Sequence, residues 1–211
     1  MDKTLLYFIR HGESEANERD AFIGHTDLDL TRLGHQQAQM AAEYLRAIPA
    51  DVIYASDLKR AYNTAMHTAE IKGMNVIKNE NLREIYAGKW EDKTFNELEE
   101  NFNDSYNVWL SDIDKAKCPD GETVEEMKER IVSEVIKIAE ENIGKTVFVF
   151  SHGTPIRAIN AVCKSCALKE VSWATNASIT KCEYTNGKLN IIEYANDSYL
   201  GDMITTFPDN V

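Results

Sequence analysis

Apolar residues along the chain fall into runs of two kinds. Thr4–Ile9 (TLLYFI), Asp51–Ala55 (DVIYA) and Thr146–Phe150 (TVFVF) are short, continuous and rich in β-branched and aromatic residues. That is the form of strands buried on both faces of a parallel sheet. The runs between them have helical spacing. Thr31–Ile48 carries Met40, Tyr44, Leu45 and Ile48 on one expected face. Asp57 stands where it can cap a helix presenting Leu58, Ala61, Ala65 and Ala69. Thr123-Val-Glu-Glu126 has the form of a capping box, opening a helix with Met127, Ile131, Val135 and Ile138 inward. Strands alternating with helices predict an α/β fold, three-layer α/β/α with a mainly parallel sheet. Ser178–Tyr184 and Lys188–Tyr194 flank Thr185-Asn186-Gly187, a hairpin signal that adds an antiparallel strand at the sheet edge. Glu84 to Cys118 is richer in aromatic and charged residues and reads as a partly helical excursion, at about residues 85–118. No repeat, low-complexity stretch or linker divides the chain, so residues 1–211 are expected to form a single domain.

Composition narrows the function classes. The chain has 23 Lys and Arg against 35 Asp and Glu, a net charge of −12. Such a field repels nucleic acid and anionic membranes, so neither is expected as a partner. It leaves room for a small anionic substrate, because surface charge is screened over about 8 Å at physiological salt and a few arginines in one cleft dominate locally. No apolar run is long enough for a membrane span. Met1-Asp2-Lys3-Thr4 leads straight into the first strand without a signal-type apolar region, and the expected location is cytoplasmic. Of the four cysteines, Cys163 and Cys166 have zinc-type spacing, but no second close pair accompanies them, so reduced, partly buried thiols are expected.

In open parallel sheets ligands bind beyond the carboxyl ends of the strands. Here those ends carry Arg10-His11-Gly12, then Ser56-Asp57-Leu58-Lys59-Arg60, then Ser151-His152-Gly153. Glycine after each histidine suggests a sharp turn and close approach by a ligand. Taken singly, each histidine reads as a hydrogen-bonded loop residue and Glu84 as a solvated carboxylate or a partner of Arg83. Two histidines and two arginines at one end of one sheet are harder to explain so.

Arg10-His11-Gly12-Glu13 with Asn17 resembles the signature of the histidine phosphatase, or phosphoglycerate mutase-like, family. Gly24 to Gly34, Tyr54 to Ala65, Leu82-Arg83-Glu84 with Gly88-Lys-Trp90-Glu91, Pro119 to Thr123, and Ser151-His152-Gly153 resemble its further blocks, in the family's order. The resemblance implies that His11 is the nucleophile and forms a phosphohistidine. Arg10, Arg60, Asn17, a backbone group near Gly24, and His152, protonated or donating, would bind phosphate oxygens. Glu84 would be the general acid and then the base that activates water. Arg10 and Arg60 should keep His11 neutral for attack. Glu13, Ser56 and Thr154 are expected to support the pocket. His25, His35 and His67 lack ligand-like spacing, so neither metal nor cofactor is expected.

The same site serves hydrolases and mutases. Bisphosphoglycerate-dependent mutases of the family are longer and carry a larger, basic insertion after the acid block. Here Ile85–Lys117 is short, and its lysines (Lys89, Lys93, Lys115, Lys117) are outnumbered by Asp and Glu. This favours a phosphatase resembling the broad-specificity and α-ribazole phosphatase branches, acting on a small phosphorylated substrate. A cofactor-dependent phosphoglycerate mutase is the alternative. A catalytically inactive phospholigand-binding module is a third reading, disfavoured because the full catalytic set is kept. Tyr86, Trp90, Phe95, Phe102, Tyr106 and Trp109 either line the substrate pocket or pack the excursion onto the core. No second basic patch for a doubly charged sugar is found, and a homodimer is left open.

Overall fold

A computed structural model of the chain describes residues 3–206. Met1 and Asp2, and residues 207–211 of the expected domain, lie outside the described residues. The strands are β1 (Thr4–Arg10), β2 (Ala21–Phe22), β3 (Val52–Ala55), β4 (Val76–Lys78), β5 (Lys93–Thr94), β6 (Thr146–Ser151), β7 (Ile179–Thr185) and β8 (Lys188–Asn196). The α-helices are α1 (Glu15–Glu18), α2 (Arg32–Leu45), α3 (Lys59–Lys72), α4 (Phe95–Asn101), α5 (Asn103–Ser111), α6 (Val124–Glu141) and α7 (Gly153–Lys164).

Six strands form one sheet in the order β4-β3-β6-β1-β7-β8, while β2 and β5 pair separately. β4, β3, β6 and β1 run parallel; β7 is antiparallel to β1, and β8 to β7. The α/β fold with a mainly parallel sheet is thus as the residue pattern predicts. The continuous apolar strands follow from burial on both faces. Leu6, Phe8, Val147 and Val149 join the core shared with α6 and α7. Tyr7, Ile9, Phe148 and Phe150 point the other way, into the core shared with α2 and α3. The capping box at Thr123 and Glu126 forms, with Thr123 Oγ1 accepting from the Glu126 N–H at 3.1 Å and Glu126 Oε2 accepting from the Thr123 N–H at 2.8 Å. In the β7–β8 turn Asn186 and Gly187 both have positive φ, 51° and 76°, the conformation Asn-Gly hairpins favour.

Three expectations need correction, and one strand was not foreseen. Met40 and Tyr44 are 37% and 38% exposed, and α2 buries Gly34, Gln37, Ala38, Ala41, Ala42 and Leu45 instead. Its buried face is small because α2 packs closely against α3 and the sheet. Asp57 does not cap α3, whose N-cap Leu58 makes no side-chain bond; its carboxylate instead grips the Arg83 guanidinium at 2.7 and 2.5 Å. Gly12 does not serve ligand approach alone: a Cβ there would lie 2.4 Å from the Gly34 carbonyl oxygen. The loop after β1 is pressed onto the start of α2, and backbone contact at that point excludes a side chain. Finally, β4 is an extra edge strand, three residues long and largely exposed, too short to leave a periodic signal.

The excursion holds β5, α4 and α5. Trp90, Tyr106 and Trp109 are buried there; the Phe22 ring of β2 lies 5.4 Å from Trp90 and 4.9 Å from Trp109, and Tyr106 meets Trp90 at 5.8 Å. Phe95 and Phe102 pack against the same core. The cysteines are free thiols, Cys118 and Cys182 buried, Cys163 and Cys166 half-buried. No helix among the described residues is long and apolar enough to cross a membrane.

Candidate active site

Parallel pairing aligns the carboxyl ends of β1, β3 and β6, and three polar segments converge there. Arg10 is in register with Ser151, the His11 N–H donates to the Ser151 carbonyl at 3.0 Å, and the Ser56 N–H donates to the Phe150 carbonyl at 2.9 Å.

His11 is 4% exposed. Its Nδ1 lies 2.7 Å from the Gly12 carbonyl oxygen. A carbonyl only accepts, so Nδ1 carries the ring proton and Nε2 keeps its lone pair. Burial chiefly, then Arg60 and Arg10, holds the His11 pKa well below its ordinary 6.5. The expectation of a neutral His11 stands, with burial rather than the arginines as the larger cause.

The two arginines are almost wholly buried, Arg10 at 1% and Arg60 at 0% exposure. Burial lowers both pKa values to about 10, partly offset by Glu84. Both therefore stay cationic at neutral pH. Arg60 stands in the first turn of α3 and donates to the Thr26 carbonyl at 3.0 Å and the Gly24 carbonyl at 2.7 Å. Its Nε is buried without a partner among the described residues. Arg10 Nη1 donates to the Ala174 carbonyl.

His152 caps α7 and is fully buried. Its ring centroid is 5.1 Å from that of His11. Nε2 meets Ser56 Oγ at 2.8 Å, and Nδ1 is buried with no partner among the described residues. Burial, then Arg60 and His11, puts its pKa well below 6.5. Of the two expected forms of His152, burial first and then Arg60 favour the neutral imidazole with one N–H.

Glu84 is 7% exposed, so it is neither a solvated carboxylate nor the partner of Arg83, which is engaged by Asp57. Its Oε1 accepts from the Ile85 N–H at 2.9 Å and its Oε2 from the Thr154 N–H at 3.2 Å, in the first turn of α7. The segment is fixed from behind. Arg130 donates to the carbonyls of Asn81, Arg83 and Glu84 at 3.0–3.1 Å and is itself held by Glu122 at 2.8 and 2.9 Å. His25 Nε2 meets the Glu84 carbonyl at 2.8 Å. Glu91 accepts from the N–H groups of His25, Thr26 and Ala87, tying the Gly24 turn to the excursion.

Asn17 lies in the one-turn helix α1, where its Oδ1 accepts from Ser14 N–H at 3.0 Å and from Asn176 Nδ2 at 3.3 Å. These bonds orient the amide and leave Nδ2 as its available donor. Glu13 does not reach this cluster: its carboxylate accepts from Thr31 Oγ1 at 2.8 Å, at the start of α2. Ser56 and Thr154 do, through His152 and Glu84. His35 and His67, unrelated by sequence spacing, meet between α2 and α3 with ring nitrogens 3.1 Å apart. No group of three or more His, Cys, Asp or Glu among the described residues is placed to hold a metal ion.

Next to Glu84 opens a narrow pocket of about 20 Å³. Gly24, Glu84 and Thr154 are shared with the cluster; Ala21, Phe22, Ile23, Trp109 and Trp173 supply its apolar lining. Trp109 was among the candidate aromatics. Trp173 was not, nor were Arg130, Glu91 and Glu122 given roles. The two acids stand inside quoted sequence blocks, which was a usable signal; Arg130 and Trp173 left none.

The sequence model described as histidine phosphatase superfamily (branch 1) matches residues 6–197. Phosphoserine phosphatase 1 of Hydrogenobacter thermophilus is 34% identical over 154 residues, 73% of each chain. Adenosylcobalamin/alpha-ribazole phosphatase of Escherichia coli is 29% identical over 147 residues, covering 70% of this chain and 72% of that protein. The solved structure of Bacillus stearothermophilus YhfR superimposes with a TM-score of 0.90 at 26% identity, covering 93% of this chain and 99% of that one.

Proposed function

The chain belongs to branch 1 of the histidine phosphatase superfamily, and on that premise we propose that it hydrolyses small phosphate monoesters through a phosphohistidine on His11. The carrying observation is the tautomer lock: Nδ1–H is tied to the Gly12 carbonyl, so Nε2 keeps its lone pair, in a buried ring that feels the charges of Arg60 and Arg10.

Phosphoryl transfer asks mainly for in-line positioning and charge neutralisation. Arg10 and Arg60 supply fixed positive charge in a site screened from water, and the Asn17 amide, the His152 N–H and a backbone N–H near Gly24 add neutral donors. Nε2 of His11 forms the N–P bond as the ester P–O bond breaks. Glu84 gives its proton to the departing alkoxide. The same carboxylate then takes a proton from water, whose oxygen attacks phosphorus; the N–P bond breaks, phosphate leaves, and His11 returns to its neutral form. His152 acts as a hydrogen-bond donor rather than an imidazolium. The described fold works as one unit, with residues 85–118 as a cap over the leaving group. The strongly acidic surface fits a small cytoplasmic metabolite as substrate rather than nucleic acid or membrane.

Rapid quenching with a ³²P-labelled monoester is expected to place label on His11, stable to base and labile to acid, with inorganic phosphate and no isomerised phosphoglycerate as product. Acid-stable label, or phosphoglycerate exchange outpacing phosphate release, rejects this reading. A second expectation concerns protonation. A histidine whose pKa is depressed stays neutral as pH falls through 6.5 and gains its proton only lower down. The His11 ring signal in NMR should therefore remain neutral as pH falls from 7 through 6.5, and Arg60→Ala should raise its pKa, because one of the depressing charges is gone. Titration of His11 at or above 6.5 in the unaltered enzyme would contradict the buried, doubly flanked ring.

A further inference from the structure

We propose, resting on the phosphatase reading above, that Asn176 is a positioning residue that sets the phosphate-binding amide of Asn17 against His11, and that residues 203–205 hold Asn176 in place. Asn176 stands in the turn before β7 and is fully buried. Its Nδ2 donates to the His11 carbonyl at 3.2 Å and to Asn17 Oδ1 at 3.3 Å. A carbonyl only accepts, so the amide nitrogen of Asn176 has to face His11. Asn17 then has to offer its oxygen to that nitrogen, which leaves its own Nδ2 for a phosphate oxygen. One amide thus bridges the backbone of the nucleophile and the side chain of a phosphate donor. Ser14 also bonds Asn17 Oδ1, from its N–H at 3.0 Å and its hydroxyl at 2.9 Å. Those bonds are local to the turn of α1, four residues long, and travel with it. The Asn176 bond is the one that ties this turn to the segment entering β7.

Asn176 is itself oriented from behind. Thr205 Oγ1 donates to Asn176 Oδ1 at 3.3 Å, and the Asn176 N–H donates to the Thr205 carbonyl at 2.8 Å. Gln37, fully buried on α2, donates from Nε2 to the Met203 carbonyl at 2.7 Å and to Thr205 Oγ1 at 2.8 Å. Its Oε1 accepts from the Glu13 N–H at 2.7 Å. The loop from His11 to Asn17 is therefore gripped by two buried amides, and Thr205 Oγ1 links them. A buried amide is costly without partners. Each of these two uses its oxygen and bonds twice through its nitrogen, so the network is closed, and a closed polar network rigidifies what it holds. The His11 carbonyl has a second donor, the Ala177 N–H at 3.1 Å. Loss of the Asn176 side chain consequently frees Asn17 more than His11. Phosphoryl transfer is sensitive to such placement, since a group displaced by about 1 Å can cost about 10²-fold in rate.

A double-mutant cycle on hydrolysis of p-nitrophenyl phosphate tests this. Asn17→Ala is expected to lower kcat about 10²-fold, the loss of one donor in a closed site. Asn176→Ala should lower kcat about tenfold, with KM within about threefold of the parent enzyme. The double variant should be no slower than Asn17→Ala alone, to within about twofold, because Asn176 then has no amide left to place. Independent contributions would multiply to about 10³-fold; that result overturns the proposal, as does an Asn176→Ala enzyme with the parent kcat. Thr205→Val should lower kcat about threefold and Thr205→Ser should restore it, since the hydroxyl makes both side-chain bonds. An unaltered kcat in Thr205→Val, or no recovery in Thr205→Ser, overturns the role of residues 203–205. Should Asn176→Ala fail to fold, Thr205→Val decides: its loss has to vanish in the Asn17→Ala background. Label on His11 with losses that multiply removes only this inference; no label on His11 removes the phosphatase mechanism beneath it.

Discussion

His11→Ala is expected to lower kcat/KM by roughly 10⁴- to 10⁶-fold, the scale on which loss of a nucleophile acts when the rest of its site is intact. The residue does two things no neighbour can do. It offers the lone pair that forms the N–P bond, and it divides one difficult displacement by water into two easier steps. His152 is a poor substitute, since its Nε2 is engaged by Ser56. Arg10 and Arg60 keep their contacts to Ala174, Gly24 and Thr26 in the variant. Inorganic phosphate should consequently still bind, and more tightly if anything, because the cleft has lost a competing group but none of its charge. Folding should change little: the imidazole makes one local hydrogen bond to the adjacent Gly12 and leaves a small gap beside His152. Kinetics, acid-labile label and phosphate calorimetry together check this. A variant that turns over within about tenfold of the parent enzyme, or that still forms an acid-labile phosphoenzyme, would move the nucleophile elsewhere.

Much of the architecture was legible because it is written in short-range chemistry. Continuous apolar strands, the Thr123 capping box and the Asn186-Gly187 turn each state a backbone preference locally, and the sheet honours them. Parallel strands then bring their carboxyl ends together by geometry alone, which is why Arg10, His11, Ser56 and His152 converge. What was not legible depends on contacts between distant segments. Met40 and Tyr44 have the right spacing for a core face, yet the close approach of α2 to α3 selects alanines in their place. Asp57 has the right position for a cap, yet Arg83 outcompetes the helix end for its carboxylate. Glu13 stands inside the signature and serves the start of α2. Arg130 and Trp173 lie outside every block and act on Glu84 and its pocket only through the tertiary fold. The sequence thus announces groups that the fold brings together along strand ends, while the residues that hold or shape them stay silent until packing is known.

Glu84→Gln should separate two roles that one carboxylate performs, and the leaving group is the probe. For benzyl phosphate, whose alkoxide departs poorly without a proton, loss of the acid is expected to slow kcat by about 10²- to 10⁴-fold. For p-nitrophenyl phosphate, whose phenolate leaves unaided, formation of the phosphohistidine should be nearly intact. Its breakdown should not be, because water has lost its base. The variant should therefore release nitrophenolate in a burst of about one equivalent per site and then stall, with labelled phosphohistidine accumulating. Glutamine is close in shape and retains one carbonyl oxygen for the Ile85 N–H, the shorter of the two bonds at 2.9 Å, so the segment held by Arg130 and His25 should stay in place. The contact at Thr154, 3.2 Å, is the one exchanged for a mismatched amide. This matters for interpretation: a merely structural Glu84 would slow both esters alike and leave no phosphoenzyme. Equal slowing of the two esters without a burst would take the proton-transfer role from Glu84, whereas a burst with stalled turnover assigns both acid and base to it.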